Sequence, residues 1–131
     1  MASPKGFILY RIYYGDCLVY LGRTKQPLQA RIRGHMFAHP MHRVIDISNV
    51  TKIEYTELET EADMNLYEIY FINLWKPPLN IDDKARDHLT IALPLLKWTE
   101  FKPKNWEKWK RELEDQELYA WHKRRNEKIF E

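Results

Sequence analysis

Two short apolar runs near the start of the chain flank a Gly-Asp pair, and this arrangement constrains the fold more than any other feature. The first run, Phe7 to Tyr14, is apolar and rich in residues that favour strands, and Cys17 to Leu21 is a second, shorter run. Gly15 and Asp16 between them are typical turn residues. The pattern therefore predicts an antiparallel β-hairpin, in which successive side chains alternate between the two faces.

The elements after the hairpin alternate between helix and strand. Pro27 fits the first position of a helix, and apolar residues recur after it at helical spacing. Val50 to Thr56 has the composition of a third strand. A further helix is expected to follow Thr60, which fits a capping position, and to run to about Trp75, because Pro77 cannot continue it. We therefore predict an α+β fold with a small central three-stranded antiparallel sheet flanked by helices.

Beyond Asn80 the pattern changes, so residues 1–80 are expected to form a domain and residues 81–131 a C-terminal extension. His88 to Leu93 and Leu95 to Phe101 could be strands interrupted by Pro94, or one irregular segment. Trp106 to about Phe130 predicts a long, highly charged helix with a partial apolar stripe. That stripe could pack onto the domain or pair two chains in a homodimer. Interspersed acids disfavour uniform DNA contact along this helix.

The composition is that of an ordinary globular protein. A chain of 131 residues, 44% hydrophobic and 31% charged, is long enough for one hydrophobic core. No apolar run approaches the ~18 to 20 residues of a membrane span, and nothing resembles a signal peptide. The single Cys17 excludes an internal disulfide and a multi-cysteine metal site. We therefore expect a soluble cytoplasmic protein with no membrane partner.

The net charge of +2 conceals two opposed blocks. From Lys5 to Arg43 there are seven basic residues against one acid, and from Asp46 to Glu68 there are seven acids against one lysine. A basic N-terminal block is a surface that the phosphates of a nucleic acid can bind. The alternative is that the two blocks are solvated faces that balance each other.

Three side chains downstream of the hairpin suit phosphate chemistry. Glu68 is the one acid within the mostly apolar stretch from Leu66 to Trp75, where a carboxylate must face water, be paired or bind a metal ion. Arg31 and His35 are four residues apart, so they emerge side by side from a helix. The arginine fork suits a phosphate, and histidine can carry a proton near neutral pH. Taken alone, each is also what a solvated helix face contains.

Three histidines, His35, His39 and His42, have spacings that could bring two of them onto a metal ion. Pro40 interrupts the helix between them, and no cysteine cluster accompanies them. The sequence therefore gives little support to a structural zinc site.

Two short tyrosine motifs lie in the predicted hairpin, Ile8-Leu9-Tyr10 on the first strand and Tyr20-Leu21-Gly22 on the second. The residues that follow them, in order, are Arg31, His35, Glu68 and Asn80. Over about residues 7–80, this layout resembles the GIY-YIG nuclease domain. Ile8 stands where the family has its first glycine. Placing the first motif at Arg11-Ile12-Tyr13 instead would put its tyrosine on the opposite sheet face, so we place it at Tyr10.

The resemblance implies a site and a reaction. The helical arginine of the family and the histidine one turn later correspond to Arg31 and His35, its metal-binding glutamate to Glu68, and its asparagine to Asn80. The implied activity is a DNA endonuclease that hydrolyses phosphodiester bonds with one Mg²⁺ or Mn²⁺ ion per site, bound by Glu68. Nicking or double-strand cleavage would depend on the oligomeric state, and the setting, such as a phage or a mobile element, stays open.

The implied roles divide between charge and proton transfer. Arg31 donates to the phosphate as charge builds up, and Asn80 braces the site by hydrogen bonding. Tyr10 takes a proton from the attacking water, which Tyr20 and His35 help to orient. The ordinary tyrosine pKa of ~10 would have to be lowered by nearby positive charge, and otherwise His35 is the better base. The expected DNA contacts are Gly22, Arg23, Lys25, Arg33, Arg43 and Lys76.

Two other classes of function stay open. The chain could be a nucleic-acid-binding module that keeps this fold but does not cut, or a protein-interaction adaptor that uses the tryptophan-bearing C-terminal helix. Metal-dependent nicking separates a nuclease from the first class. The second class predicts partner binding that is insensitive to salt and no DNA binding, whereas binding dominated by phosphate contacts weakens steeply as salt rises.

Overall fold

A computed structural model describes residues 4–37, 45–80 and 89–112 of the chain. In chain order, the elements are β1 (Phe7–Tyr14), β2 (Cys17–Thr24), α1 (Leu28–Phe37), a 3₁₀ helix (Ile47–Asn49), β3 (Lys52–Leu58), α2 (Glu61–Trp75) and β4 (Thr99–Glu100). Residues 106–112 are also α-helical. The predicted α+β fold is confirmed. For the rest of the helix predicted from Trp106 to about Phe130, the positions beyond residue 112 lie outside the described residues.

The strands form one antiparallel sheet in the order β2-β1-β3-β4, with β2 at one edge. The first three strands are those that the sequence predicts. The expected three-stranded sheet is corrected to four strands by β4, in which Thr99 pairs with Tyr55. The N–H of Phe101 continues this pairing by donating to the carbonyl of Ile53 at 2.7 Å. Part of the C-terminal extension therefore belongs to the sheet.

Helix α2 begins and ends where the sequence predicts. The side chain of Thr60 caps its start by accepting from the N–H of Asp63 at 3.0 Å. At its end Lys76 adopts a left-handed backbone conformation (φ 47°) and donates its N–H to the carbonyl of Ile72 at 2.8 Å, directly before Pro77. No helix in the described part of the chain combines the length and apolar character needed to cross a bilayer.

Alternation along β1 sends its side chains into two separate hydrophobic clusters. Tyr10 and Ile12 belong to a cluster that also contains Leu28 and Ile32 of α1. Leu9 belongs to a second cluster, together with buried residues of α2. The sheet is therefore covered by α1 on one face, termed the Tyr10 face, and by α2 on the other, and the predicted alternation is confirmed.

Part of the C-terminal extension completes the core on the Tyr10 face. Trp109 is 6% exposed and belongs to the cluster around Tyr10, against which Trp106 also packs. On α1, Nε2 of Gln29 donates to the carbonyl of Lys104 at 2.7 Å, and Oε1 of Gln29 accepts from the N–H of Lys104 at 2.9 Å. Residues 99–109 and the domain predicted to end at residue 80 thus share one core.

Candidate active site

Tyr10 lies at the centre of a group of polar side chains on the Tyr10 face. It is fully buried, and its partner across the strand pair is Gly22 of β2. A Cβ at Gly22 would lie 2.5 Å from Cζ and Oη of Tyr10 and 2.9 Å from Cε1 of Tyr20. The two tyrosine rings, whose centroids are 6.1 Å apart, therefore leave room only for glycine at this position. Packing explains why the second motif ends in Gly22.

Helix α1 places Arg31 and His35 against the hydroxyl of Tyr10, as their spacing of four residues allows. Nε of Arg31 donates to Oη of Tyr10 at 3.2 Å, and Nε2 of His35 lies 2.5 Å from the same oxygen. The imidazole packs edge-on against both tyrosines, with centroid distances of 5.7 Å to Tyr10 and 5.4 Å to Tyr20. Side chains from β1, β2 and α1 thus meet around one hydroxyl.

Burial determines which groups of this cluster are charged. It is the main cause that lowers the pKa of His35 to about 4, with a smaller contribution from Arg31, so the imidazole is neutral at pH 7. Burial also raises the pKa of Tyr10 far above its ordinary value, and the opposing effect of Arg31 is smaller. A guanidinium can only donate, so the hydroxyl oxygen of Tyr10 accepts from Arg31, and its own hydrogen can go to Nε2 of His35 when that nitrogen is the unprotonated one of the neutral ring. Burial therefore favours a neutral tyrosine next to a neutral histidine, joined by one hydrogen bond.

Glu68 of α2 lies next to β2, the edge strand that carries the second motif. Its Oε1 is 3.5 Å from Nε of Arg23, and Nη1 of Arg23 also donates to Oδ1 of Asn65. The side chain of Glu68 is 12% exposed. Burial is the main cause that raises the pKa of Tyr20, and the negative charge of Glu68 also acts to raise it. Glu68 is thus a largely buried, paired carboxylate within electrostatic range of Tyr20, rather than part of a solvated helix face.

Asn80 holds β2 through the backbone of Leu21. Its Oδ1 accepts from the N–H of Leu21 at 2.9 Å, and its Nδ2 donates to the carbonyl of the same residue at 2.7 Å. The N–H of Leu79 donates to the carbonyl of Val19 at 2.9 Å. Because Leu21 is the middle residue of the second motif, these bonds fix the strand that carries Tyr20. They are contacts of the bracing kind expected for Asn80.

Two of the basic residues expected to contact DNA are engaged with acids. Nζ of Lys25 lies 3.0 Å from Oε1 of Glu61, and Arg23 pairs with Glu68 as described above. The basic and acidic blocks of the sequence therefore meet in the fold. They are not two isolated solvated faces, because ion pairs connect them.

The other basic residues expected to contact DNA are either exposed or outside the described residues. Arg33 on α1 and Lys76 at the end of α2 are exposed. Arg43 lies outside the described residues, and so do His39 and His42, the two histidines considered with His35 for a metal site.

The donor set near Glu68 determines which metal ions would fit. Within residues 4–37, 45–80 and 89–112, no group of three or more His, Cys, Asp or Glu side chains is arranged to hold a metal ion. Mg²⁺ commonly binds through one or two carboxylates and takes water and substrate phosphate at its other positions. A single, mostly buried carboxylate such as Glu68 fits that mode. It does not fit a metal ion held by protein side chains alone.

Arg11, the neighbour of Tyr10 on β1, was not anticipated as a structural centre. Its Nε and Nη2 each lie 2.9 Å from Oε1 of Glu54, and its guanidinium carbon stands 4.1 Å from the ring centroid of Trp98. Tyr13 also lies on this face, which is termed the Arg11 face, 5.6 Å from the same carbon. The sheet therefore separates Tyr13 from the group around Tyr10. A charged residue at a strand position that is expected to be buried predicts an oppositely charged partner. That signal in the sequence could have identified Arg11 as one half of an ion pair.

A cleft of about 290 Å³ lies between β3 and residues 100–106. Its mainly apolar lining includes Ile53, Phe101, Pro103 and Trp106. None of the polar side chains that meet at the hydroxyl of Tyr10 lines it, so this cleft does not mark the candidate site. The chemistry of the side chains does.

Comparisons with protein-family models, with curated proteins and with solved structures find no match for this chain. The assignment of function therefore depends on the geometry of the side chains and on the order of the motifs in the sequence.

Proposed function

We propose that the chain is a metal-dependent endonuclease that hydrolyses phosphodiester bonds of DNA, with a site of the GIY-YIG type. The observation that carries the proposal is the contact of Arg31 and His35 with the single hydroxyl of Tyr10, beside the ring of Tyr20. This group combines a phosphate-binding cation with a pair that can transfer a proton. The geometry and the motif order support the same function by separate routes.

Arg31 supplies the positive charge that a scissile phosphate requires. Its Nε donates to Tyr10, and within the described residues no carboxylate forms an ion pair with it. A guanidinium held by neutral hydroxyls keeps its charge for a ligand. In the proposed reaction it stabilises the negative charge that builds up on the phosphate oxygens in the transition state.

Tyr10 and His35 form the proposed path for the proton of the attacking water. Oη of Tyr10 takes the water proton while its own hydrogen passes to Nε2 of the neutral His35. The water oxygen forms the new bond to phosphorus, the bond from phosphorus to the 3′ oxygen breaks, and the leaving oxygen takes a proton from solvent. This relay avoids a free tyrosinate, which burial disfavours. It forms an imidazolium, which burial also disfavours, so the negative charge of the bound phosphate has to stabilise the protonated His35. The relay uses both residues that the sequence offered as alternative bases.

Glu68 is the proposed ligand for the divalent cation. When bound there, Mg²⁺ or Mn²⁺ supplies charge neutralisation at the scissile phosphate and at the leaving oxygen. The position of Glu68 within electrostatic range of Tyr20 supports this role, as does the bracing of the intervening strand by Asn80.

Plasmid nicking by two matched pairs of variants tests the proposal. Tyr10→Phe removes the hydroxyl of the relay, whereas Tyr13→Phe removes a hydroxyl on the other face of the same strand. Glu68→Gln removes the proposed metal ligand, whereas Glu61→Gln removes an acid of the same helix that pairs with Lys25. We expect Tyr10→Phe and Glu68→Gln to leave supercoiled DNA intact in Mg²⁺ or Mn²⁺, and the other two variants to nick it.

Thermal unfolding of the same four proteins separates loss of chemistry from loss of folding. Undiminished nicking by a purified, folded Glu68→Gln protein would contradict the proposal. DNA binding by the unsubstituted chain without any metal-dependent nicking would favour the binding module over the nuclease.

A further inference from the structure

The ion pair between Arg23 and Glu68 occupies the position where the proposed metal ion has to bind. Nε of Arg23 lies 3.5 Å from Oε1 of Glu68, and a second nitrogen of the same guanidinium donates to Asn65 one turn earlier on α2. The guanidinium is therefore bound to two side chains of one helix face. The lysine two positions further along, Lys25, pairs elsewhere, with Glu61.

A divalent cation and this guanidinium cannot both stay at Glu68 without strong repulsion. A Mg²⁺ ion binds a carboxylate oxygen at about 2.0 to 2.1 Å. The positive charge of Arg23 would then stand within a few ångströms of the ion, at a carboxylate that is only 12% exposed, where water screens poorly. Metal binding therefore requires Arg23 to leave the carboxylate.

Arg23 has the freedom to leave. It lies on β2, the edge strand of the sheet, and its side chain is 38% exposed, against 12% for Glu68. The carboxylate is held in place by its burial, whereas the arginine can turn towards solvent on its flexible stem. The polyanion that the proposed function brings to this edge offers the guanidinium a new partner.

We propose that Arg23 is an exchangeable counter-ion: it neutralises Glu68 while the site is empty and moves to a phosphate of the nucleic acid when a divalent cation takes the carboxylate. This inference rests on the proposed function, because it assumes that Glu68 binds the cation. It assigns to Arg23 a role in the order of binding, beyond a plain DNA contact. Metal and DNA then bind cooperatively, since each relieves an unfavourable charge that the other creates.

Mn²⁺ binding to the full chain without DNA gives a test that does not depend on cleavage. Electron paramagnetic resonance of free Mn²⁺ measures the affinity of the unsubstituted protein, of Arg23→Gln and of the control Lys25→Gln. We expect Arg23→Gln to bind Mn²⁺ about 5- to 10-fold more tightly, because the ion no longer displaces a partly buried ion pair. Lys25→Gln should leave the affinity unchanged, and Glu68→Gln should abolish binding at this site.

DNA binding provides the second measurement. In the Tyr10→Phe background, which is expected to prevent cleavage, Arg23→Gln should reduce the salt dependence of DNA binding by about one counterion in the presence of Mn²⁺. In EDTA, where Arg23 stays on Glu68, the same substitution should change the salt dependence much less. An equal change under both conditions would show a fixed DNA contact and overturn the exchange.

The two proposals fail in distinguishable ways. If Mn²⁺ binding requires Glu68 and nicking is intact, but Arg23→Gln leaves the Mn²⁺ affinity unchanged, the counter-ion role is wrong and the nuclease assignment stands. If no Mn²⁺ binds to the unsubstituted chain or to Arg23→Gln, and no nicking occurs, both proposals are wrong.

Discussion

The two faces of β1 each hold an arginine against tyrosine rings, yet the two arginines are in opposite electrostatic situations. On the Arg11 face, two nitrogens of Arg11 lie 2.9 Å from the carboxylate of Glu54, and the ring of Trp98 covers the guanidinium. On the Tyr10 face, Arg31 donates to the phenol of Tyr10. The charge of Arg11 is thus neutralised inside the fold, whereas no carboxylate in the part of the chain that the structure describes pairs with Arg31.

The difference gives a physical criterion for telling a structural arginine from one that can bind a ligand. A carboxylate neutralises the charge of a guanidinium and accepts its hydrogen bonds, and an aromatic ring packs against its face. Neutral hydroxyls orient a guanidinium but leave its charge for a ligand. The distinction between the two arginines therefore depends on the groups that contact each guanidinium, and not on residue type or burial.

Substituting each arginine by glutamine tests this comparison most strongly. Arg31→Gln should lower the rate of plasmid nicking by about 10²- to 10³-fold, because it removes a preorganised donor to the transition state, with little change in stability. Arg11→Gln should nick DNA at nearly the original rate but lose about 1 to 3 kcal/mol of unfolding free energy, because Glu54 keeps only the more distant Lys52, at 3.9 Å, as a charged partner and the contact of the guanidinium with Trp98 is lost. Nicking rates and urea unfolding measure the two effects.

A crossed result would break the comparison. If Arg11→Gln abolishes nicking in a protein that remains folded, the Arg11 face has a part in the chemistry. If Arg31→Gln unfolds the chain, the hydroxyl contacts of Arg31 are structural.

The dependence of stability on pH gives the next largest effect, and it belongs to the Tyr10 face. The folded protein keeps His35 neutral down to about pH 4, while the unfolded chain protonates the same imidazole below its ordinary pKa of 6.5. Between these values the unfolded state binds more protons, so stability is lost as pH falls, by about 3 kcal/mol in total. His35→Gln, which keeps an acceptor near Tyr10, should remove this part of the pH dependence.

Urea unfolding of both proteins between pH 4 and pH 8 measures the difference. Above pH 6.5 the two stability curves should run parallel, and below it the curve of the unsubstituted protein should fall more steeply. Equal slopes throughout would mean that His35 is not held neutral by burial.

Two glycines give the smallest and most local contrast, because one lies beneath the tyrosines and the other on the open side of α1. Gly22→Ala should cost about 1 to 3 kcal/mol of stability and most of the nicking activity, since its Cβ would meet the buried ring of Tyr10 at 2.5 Å. Gly34→Ala meets nothing within 4 Å and should add about 0.5 to 1 kcal/mol through better helix propensity. Thermal unfolding and nicking of both variants provide the measurements.

The local elements of the fold could be predicted because local residues specify them. The Gly15-Asp16 turn, the Thr60 cap and the stop before Pro77 each rest on the chemistry of a few neighbouring residues. The fourth strand could not be predicted in this way. It has only two residues, Thr99 and Glu100, both exposed, so no apolar alternation marks it, and it depends on pairing with β3 far away in the sequence.

In the candidate site, too, some features follow from neighbouring residues and others depend on contacts between distant parts of the chain. The spacing of Arg31 and His35 on one helix places their side chains together, and strand alternation predicts that Tyr10 and Tyr13 face apart. Neither rule predicts that the charge of Arg23 reaches Glu68, because that contact joins an edge strand to a helix that is not its neighbour in sequence. The effect of burial on the pKa of Tyr10 was likewise not predictable, since burial is a property of the assembled core.

The contribution of Trp109 to the cluster around Tyr10 has a consequence for the order in which parts of the protein fold during synthesis. A ribosome releases β1, β2 and α1 long before it adds Trp109 or Lys104, the backbone partner of Gln29. Contacts between segments this distant in sequence form late and slow the folding of a chain. The helix that carries Arg31 therefore gains its full apolar support only after Trp109 has been added to the chain. The proposed site would therefore be complete only after residues 104–109 have been made and have packed against α1.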